Sequence, residues 1–268
     1  MLHIGFFYIF CEEQIVNYET INIDIKNQIA AVALDRPDVR NAMNTEMIQE
    51  ITDVFSELHK NPDVRIILLS GNGHSFCAGV DLENMRKMGQ MDWDKNVAAG
   101  NKLEEMYIAV DHCSKPVIGK VHGHAYGGGF GLCTVCDIVV AAENTSFCLS
   151  EVLIGIVPAV IGPFTVNKIG NSYFRALGIS GERFDGSYAK DIGLVHFAVK
   201  ENELDEMTEA VIKQVKKASP QAISRFKEYC RNMDSTNSAE LIAELRASDE
   251  GQEGLSAFLE KRPPSWAK

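Results

Sequence analysis

The sequence predicts an α/β protein in which a core of alternating strands and helices is followed by a helical region. Strand and helix patterns alternate up to about residue 145, and helical spacing dominates the rest of the chain. A glycine-rich turn at 127–131 lies between an apolar strand and a helix. The 268 residues are enough for one large domain, or for a domain with a small helical appendage.

The strands predicted before the glycine turn are short and either alternating or wholly apolar. Residues 18–25 alternate apolar and polar side chains, and a Lys-Asn turn connects them to the apolar run 29–34, so this pair is predicted to form a hairpin. The runs 64–70 and 116–121 are continuously apolar or nearly so, as expected for buried strands.

The helices are predicted from apolar residues that recur at helical spacing. Asn44 is a good N-cap for the first helix, which an Asn-Pro pair ends. The segment 82–112 is mostly polar with short helical islands, a composition common in lids and site walls, and 181–195 is interpreted as a turn-rich connection. The helices predicted beyond the glycine turn are 164–170, 173–177, 204–218, 221–232, 238–247 and 254–262.

The charge balance excludes some classes of partner. The chain has 26 Lys+Arg against 37 Asp+Glu, a net charge of −11. A general nucleic-acid or anionic-membrane binder has a basic footprint, so neither partner is expected. An anionic ligand would need a local basic patch.

The cysteines indicate a reducing compartment. Their number, seven, is odd, and they are scattered through a long chain, so we expect reduced thiols and a cytoplasmic protein. Cys133 and Cys136 form a CxxC motif, but no second pair or histidine has ligand spacing, so no metal is predicted. The chain is apolar for about its first ten residues, without a signal-peptide pattern, and residues 1–15 are expected to be a poorly ordered extension or an extra edge strand.

The stretch 117–160 contains the residues most informative about chemistry. The consecutive glycines 127–129 let a ligand approach the backbone, and the helix start beside them presents unpaired N–H groups and a positive dipole end. Glu151 is the one acid in an otherwise apolar run, which should raise its pKa toward neutrality. We therefore expect a site for standing or developing negative charge beside an acid.

Four stretches together resemble the crotonase (enoyl-CoA hydratase/isomerase) superfamily. They are LDRPDVRNAMN, GHSFCAGVDL, KPVIGKVHGHAYGGGFGLCTVCDIVVAAENTSF and SEVLIGIVPAVIG, and the tail EGLSAFLEKRPPSW also matches. The resemblance covers about residues 16–268 and implies a spiral of repeated ββα units over 16–200. It also implies that 201–268 form C-terminal helices that take part in trimerisation. The activity implied is the stabilisation of a thioester enolate.

The resemblance implies a role for particular residues. The backbone N–H groups of Val80 and Gly128 are expected to hydrogen-bond the thioester oxygen as it gains charge, and Glu151 is expected to move a proton. The further residues expected at the substrate are Ala78, Gly127, Gly131, Arg40, Phe258 and Lys261.

The ligand implied by the resemblance is an acyl-CoA, bound as substrate without a further cofactor. Arg40 and Lys261 match positions that face the CoA moiety, and Phe258 matches the residue that packs on the nucleotide. In the family the tail lies near a neighbouring subunit, so a homotrimer or a hexamer is expected.

Family hydratases usually carry two glutamates, and Gly131 takes the place of the first. Two carboxylates around one water can deliver hydroxide and a proton to neighbouring carbons. One carboxylate could do the same by returning the proton of water to the α carbon. It also suffices for a 3,2-enoyl-CoA isomerase, so the mechanism favours isomerase. Resemblance to bacterial methylglutaconyl-CoA hydratase-like members favours a hydratase, with branched or methylglutaconyl-type substrates as one option.

Other interpretations remain open at this point. His122, His124 and Tyr126 precede the glycines and could replace the missing acid, although they are more readily explained as strand-end residues with satisfied hydrogen bonds. Dienoyl-CoA isomerase and dehalogenase activities are discounted, because they want an aspartate near residues 158–160, where this chain has Pro-Ala-Val. The leading prediction is a 2-enoyl-CoA hydratase. The alternatives are a 3,2-enoyl-CoA isomerase and a catalytically weak acyl-CoA binding protein.

Overall fold

The computed structural model describes residues 18–267. The expected extension at 1–15 lies outside these residues. The strands are β1 (Ile21–Lys26), β2 (Ile29–Leu34), β3 (Ile66–Gly71), β4 (Val117–Val121), β5 (His124–Tyr126), β6 (Ile138–Ala142), β7 (Ser146–Cys148) and β8 (Phe197–Val199).

The helices account for most of the remaining chain. They are α1 (Thr45–Lys60), α2 (Leu82–Gly89), α3 (Trp93–Asp111), α4 (Gly128–Val135), α5 (Gly162–Ser180), α6 (Gly186–Asp191), α7 (Leu204–Val215), α8 (Pro220–Arg231), α9 (Ser238–Ala247) and α10 (Asp249–Leu259). Within the described range no helix is long and apolar enough to cross a membrane.

The strands form one large sheet and one small sheet, which confirms the α/β class. The large sheet has the order β1-β2-β3-β4-β6-β8. Its first pair is the predicted antiparallel hairpin, with Ile21 opposite Leu34, and every later pair is parallel. Parallel neighbours need crossover connections, and these place helices on the faces of the sheet.

The large sheet is buried on both faces, which explains its continuous apolar runs. Neighbouring residues of one strand enter different clusters because successive side chains point to opposite faces. Ile67 of β3 joins the main core with α1 and α3, whereas Ile66 joins a smaller cluster with Leu204 and Val211 of α7. Helices therefore cover both sides.

The small parallel sheet of β5 and β7 brings the glycine turn and the acid together. Tyr126 pairs with Cys148 in this sheet, and the Gly127 N–H donates to the Cys148 carbonyl at 2.9 Å. Glu151 follows shortly after β7, in a 3-10 turn at Glu151–Ile154. Both strands are short, and no pattern in the sequence predicts their pairing.

Several predictions from sequence need correction. The segment 82–112 forms two helices rather than islands, because Asp81 and Asp92 cap their N-termini. The connection 181–195 contains α6, capped by Asp185. By contrast, the two helices expected at 164–170 and 173–177 are confirmed, because non-helical backbone at Gly170 divides α5 into two helical segments. Strands β7 and β8 also follow residue 145.

Candidate active site

A cavity of about 310 Å³ lies where the glycine turn, α2, α3 and the segment after β7 meet. Its wall is mostly apolar, and Glu151 is the one charged side chain among its lining residues within the described part of the chain. The wall is formed by Ala78, Gly79, Val80, Leu82, Met85, Leu103, Tyr107, Gly127, Gly128, Ser150, Glu151, Ile154 and 156–161. The predicted residues Ala78, Val80, Gly127, Gly128 and Glu151 thus share one cavity.

The Val80 loop is held by backbone hydrogen bonds to Met43. The Met43 N–H donates to the Gly79 carbonyl at 2.8 Å, and its carbonyl accepts from the Asp81 N–H at 2.9 Å. In such a parallel bridge the residue between the two bonds presents its own N–H and carbonyl to the opposite side. Among the described residues, nothing accepts a hydrogen bond from the Val80 N–H, so this donor remains available to a ligand.

Gly79 must be glycine for the Val80 loop to take this shape. Its φ is +101°, and an added Cβ would lie 2.8 Å from the Tyr126 carbonyl oxygen. The loop is tied down on its other side by the Ala78 N–H, which donates to the Arg40 carbonyl at 2.9 Å. Ala78 therefore holds the loop through its backbone rather than supplying a free donor.

The second donor is the N–H of Gly128, the first residue of α4. The first N–H groups of a helix have no intrahelical partner, and no other acceptor within residues 18–267 bonds to this one. An added Cβ at Gly79 would lie 3.4 Å from the Gly128 nitrogen, and one at Gly128 would lie 3.3 Å from a Val80 methyl group. The two free donors thus belong to loops in direct contact.

The Glu151 carboxylate lies beside the same glycines. An added Cβ at Gly127 would lie 3.3 Å from Glu151 Oε1. The other carboxylate oxygen, Oε2, is buried without a hydrogen-bond partner. Burial raises the pKa of Glu151 above its ordinary value. An acid with a raised pKa and an unused oxygen can both accept and return a proton.

The space next to Gly131 is filled by other side chains. A Cβ at Gly131 would lie 2.4 Å from Ile161 Cγ2 and 3.0 Å from two ring carbons of Tyr107. Gly131 therefore lies behind these residues and not in the cavity wall, contrary to our expectation that it contacts the substrate. A second carboxylate does not fit there unless Ile161 or Tyr107 moves.

Comparison with known proteins agrees with this geometry. The family model for enoyl-CoA hydratase/isomerase matches residues 24–268. The chain belongs to the enoyl-CoA hydratase/isomerase family. This membership makes it an enzyme and gives it the crotonase fold, as the sequence predicted.

The relatives of this family member include proteins named as hydratases and a protein named as an isomerase. It is 31% identical to a probable enoyl-CoA hydratase of Mycobacterium leprae, over 94% of this chain and 99% of that protein. It is 32% identical to a peroxisomal Δ3,5-Δ2,4-dienoyl-CoA isomerase of Arabidopsis thaliana, over 94% and 98%. The crystal structure of an enoyl-CoA hydratase from Shewanella pealeana superposes with a TM-score of 0.88 at 36% identity, covering 93% of this chain and 96% of that one.

Three predicted CoA-contacting residues of this family member lie outside the cavity wall. The Arg40 side chain is exposed. The pKa of His124 is lowered first by burial and then by the positive charge of Arg40. Phe258 is 83% exposed at the end of α10, and Lys261 follows it with φ +54°. A single chain does not bring these three residues to the acid, and their contact with CoA stays a prediction.

The candidates to replace the missing acid also lie outside the wall. His122 bonds the Gly73 carbonyl at 2.9 Å, His124 bonds Ser75 Oγ at 2.9 Å, and the Tyr126 hydroxyl bonds Ser146 Oγ at 2.9 Å. Their hydrogen bonds are thus satisfied at strand ends. Within the described residues no group of His, Cys, Asp and Glu could hold a metal ion.

Sequence reasoning missed two residues that shape this site. Neither residue was singled out from the sequence: Tyr107 lies within the segment 82–112, and Asn41 lies inside the matched motif LDRPDVRNAMN. The buried Asn41 side chain donates to the carbonyls of Asn72 and Ser75, at 2.9 and 2.8 Å, and so ties the loop after β3 to the segment that contains Arg40 and Met43. No local pattern distinguishes such residues from ordinary core or loop positions.

Proposed function

We propose that this enzyme is a 2-enoyl-CoA hydratase that uses Glu151 as its single proton-transfer group. One observation carries the proposal: a carboxylate with an unpaired oxygen lies in an apolar cavity beside two free backbone N–H groups. The donors suit a thioester oxygen that gains charge, and the acid suits a proton that must move between water and carbon.

In the proposed first step Glu151 removes a proton from water while the water oxygen forms a bond to C3. The C2=C3 electron pair moves toward the thioester, and its oxygen becomes an enolate oxygen. The N–H groups of Val80 and Gly128 stabilise that oxygen, each by roughly 2.7–4 kcal/mol in comparable sites. In the second step the proton on Glu151 passes to C2, and the thioester carbonyl is restored. The product is the 3-hydroxyacyl thioester, which contains the atoms of the enoyl thioester and of one water.

The second candidate is a 3,2-enoyl-CoA isomerase. It is favoured by the apolar atoms of Ile161 and Tyr107 beside Gly131, where family hydratases usually have a second acid. In that reaction Glu151 would remove a proton from C2 and return it to C4, through the same enolate. The two candidates therefore share the acid and both donors and differ in whether water enters.

The proposed acyl group is an uncharged hydrocarbon. The wall around Glu151 consists of side chains such as Leu103, Met85 and Ile156. A distal carboxylate would be desolvated among them, close to a second negative charge, and burial of an unpaired charge is costly. We therefore favour straight or branched neutral chains over the methylglutaconyl-type substrates that the sequence allowed.

The proposal also covers the residues that contact CoA and the oligomeric state. Arg40, Lys261 and Phe258 would contact CoA in a homotrimer or a hexamer, with the exposed end of α10 lying near a neighbouring subunit. The acyl-CoA is the substrate, and the reaction needs no further cofactor because both steps transfer only protons and water. A cytoplasmic location fits the reduced cysteines.

Three five-carbon thioesters test the proposal with purified protein. 2-Pentenoyl-CoA reports hydration, 3-pentenoyl-CoA reports isomerisation, and glutaconyl-CoA replaces the terminal methyl group of 2-pentenoyl-CoA by a carboxylate. We expect hydration of 2-pentenoyl-CoA and a kcat/KM for glutaconyl-CoA lower by about 100-fold or more. Turnover of 3-pentenoyl-CoA alone would establish the isomerase instead, and binding without any turnover would leave an acyl-CoA binding protein.

A further inference from the structure

Tyr107 of α3 lies between two glycines at the start of α4. A Cβ at Gly131 would lie 3.0 Å from two carbons of the tyrosine ring, and a Cβ at Gly128 would lie 3.0 Å from the hydroxyl oxygen. The side chain is fully buried, and its ring packs against Phe164 at a centroid distance of 6.0 Å. The two glycines therefore make room for this tyrosine.

The Tyr107 hydroxyl donates a hydrogen bond of 2.8 Å to the Gly128 carbonyl. A phenylalanine would fill the same core space without a polar atom to satisfy, so packing alone does not explain the hydroxyl. Burial raises the pKa of Tyr107 well above its ordinary value, so the phenol keeps the proton that it donates. Its partner is the backbone of a residue that supplies a proposed oxyanion donor.

The Gly128 N–H needs support because glycine backbone has the greatest conformational freedom. The Gly127 carbonyl, which shares a planar peptide unit with this N–H, accepts from the Gly131 N–H at 3.0 Å. The next peptide unit carries the Gly128 carbonyl that Tyr107 holds. Both peptide planes around Gly128 are thus fixed, one within α4 and one from outside it.

We propose that Tyr107 is a positioning residue, whose hydroxyl fixes the carbonyl side of Gly128 and so helps to hold the Gly128 N–H where it meets the thioester oxygen as charge develops there. The inference rests on the proposed function, since it assigns the Gly128 N–H to the thioester. Preorganised donors stabilise developing charge because they need no reorientation during the reaction. Tyr107 occupies the space beside Gly131, so this chain has a supporting residue for the oxyanion site where family hydratases usually have a second acid.

The test is Tyr107→Phe, which keeps the ring and removes the hydroxyl. We expect kcat for 2-pentenoyl-CoA to fall by about 10-fold, with KM within about twofold, as for the loss of one hydrogen bond that matters in the transition state. The infrared band of a bound, ¹³C-labelled thioester carbonyl should move back toward its position in free thioester. Tyr126→Phe is the matched control, because it loses a hydroxyl bonded to Ser146 and should change neither quantity.

Two results would overturn the proposal. A lower kcat with an unchanged carbonyl band would mean that Tyr107 only stabilises the fold. If kcat and the carbonyl band were both unchanged, Tyr107 would have no role in positioning the Gly128 N–H. If the variant is too unstable, the same measurements are made with Gly100→Ala added in α3, where a Cβ meets open space. A wild-type enzyme that binds the thioester without hydrating it would contradict the proposed function, while the carbonyl band would still decide the role of Tyr107.

Discussion

The Glu151 carboxylate lies against Gly127, so that a Cβ on the glycine would be 3.3 Å from Glu151 Oε1. The contact depends on the parallel pairing of β5 with β7, which aligns the residues before the glycine turn with those before the acid. The turn presents the Gly128 N–H, and the acid presents an oxygen without a partner. One small sheet therefore sets the positions of both the proposed charge-stabilising group and the proposed proton-transfer group.

Replacing Glu151 by glutamine should greatly reduce the rate of catalysis and raise stability. We expect hydration to fall by about 10²–10⁴-fold, because an amide cannot accept the proton of water. The free energy of unfolding at pH 7 should rise by about 1 kcal/mol, or roughly 2–4 °C in Tm, since a buried charge is removed. Kinetics and thermal melts check both. Retention of full activity would show that another group moves the proton.

The difference in stability between the wild-type protein and Glu151→Gln should depend on pH. The folded-state pKa of Glu151 is raised above the ordinary value of 4.5, so between these values the folded chain binds more protons than the unfolded chain. Stability therefore falls as pH rises through this window. The Tm advantage of Glu151→Gln should appear at neutral pH and disappear below about pH 4.5. An advantage that grows on acidification would contradict this sign.

The raised pKa of Glu151 should appear as a loss of activity at low pH. Glu151 must be ionised in the free enzyme to accept a proton, so kcat/KM for 2-pentenoyl-CoA should fall as pH falls through its pKa. We expect the midpoint above the ordinary value of 4.5, because burial disfavours the carboxylate. Binding of a saturated acyl-CoA over the same range serves as a control for unfolding. A midpoint at or below 4.5 would argue against this acid.

Adding a second acid at the family position should fail. In Gly131→Glu the new Cβ would lie 2.4 Å from Ile161 Cγ2, so we expect a loss of about 1–3 kcal/mol in stability, as in other overpacked cores, and no gain in hydration. The double variant with Ile161→Ala relieves that contact and should recover part of the stability. A more active and equally stable Gly131→Glu enzyme would show that the space opens readily.

The Val80 loop should tolerate no side chain at Gly79. An alanine there needs a φ of +101° and brings its Cβ to 2.8 Å from the Tyr126 carbonyl, so the loop must shift and the Val80 N–H with it. We expect kcat to fall by about 10²–10³-fold, as when one oxyanion donor is lost. Gly100→Ala is the matched control, because its Cβ meets nothing within 4 Å and helix propensity favours alanine. Equal kcat in both variants would exclude Val80 as a donor.

The secondary structure was predictable wherever a local pattern decided it. The hairpin of β1 and β2 and helix α1 follow from alternation, a turn and a good N-cap, and the Asn44 side chain does accept from the Met47 N–H at 3.0 Å. The short strands β5 and β7 were missed because three residues contain too little pattern. Their pairing depends on partners distant in the chain.

The family, the two loops expected to hold the enolate oxygen and the acid expected beside them can all be inferred from the sequence, because each is contained in a contiguous motif. The surroundings of Gly131, in contrast, depend on how distant parts of the chain pack. Tyr107 comes from α3 and Ile161 from the segment after the acid, and their contacts with this glycine are packing contacts without any local signature. A motif of neighbouring residues is enough to infer a loop or an acid. The side chains that fill the space beside a residue depend instead on which helices and loops pack around it.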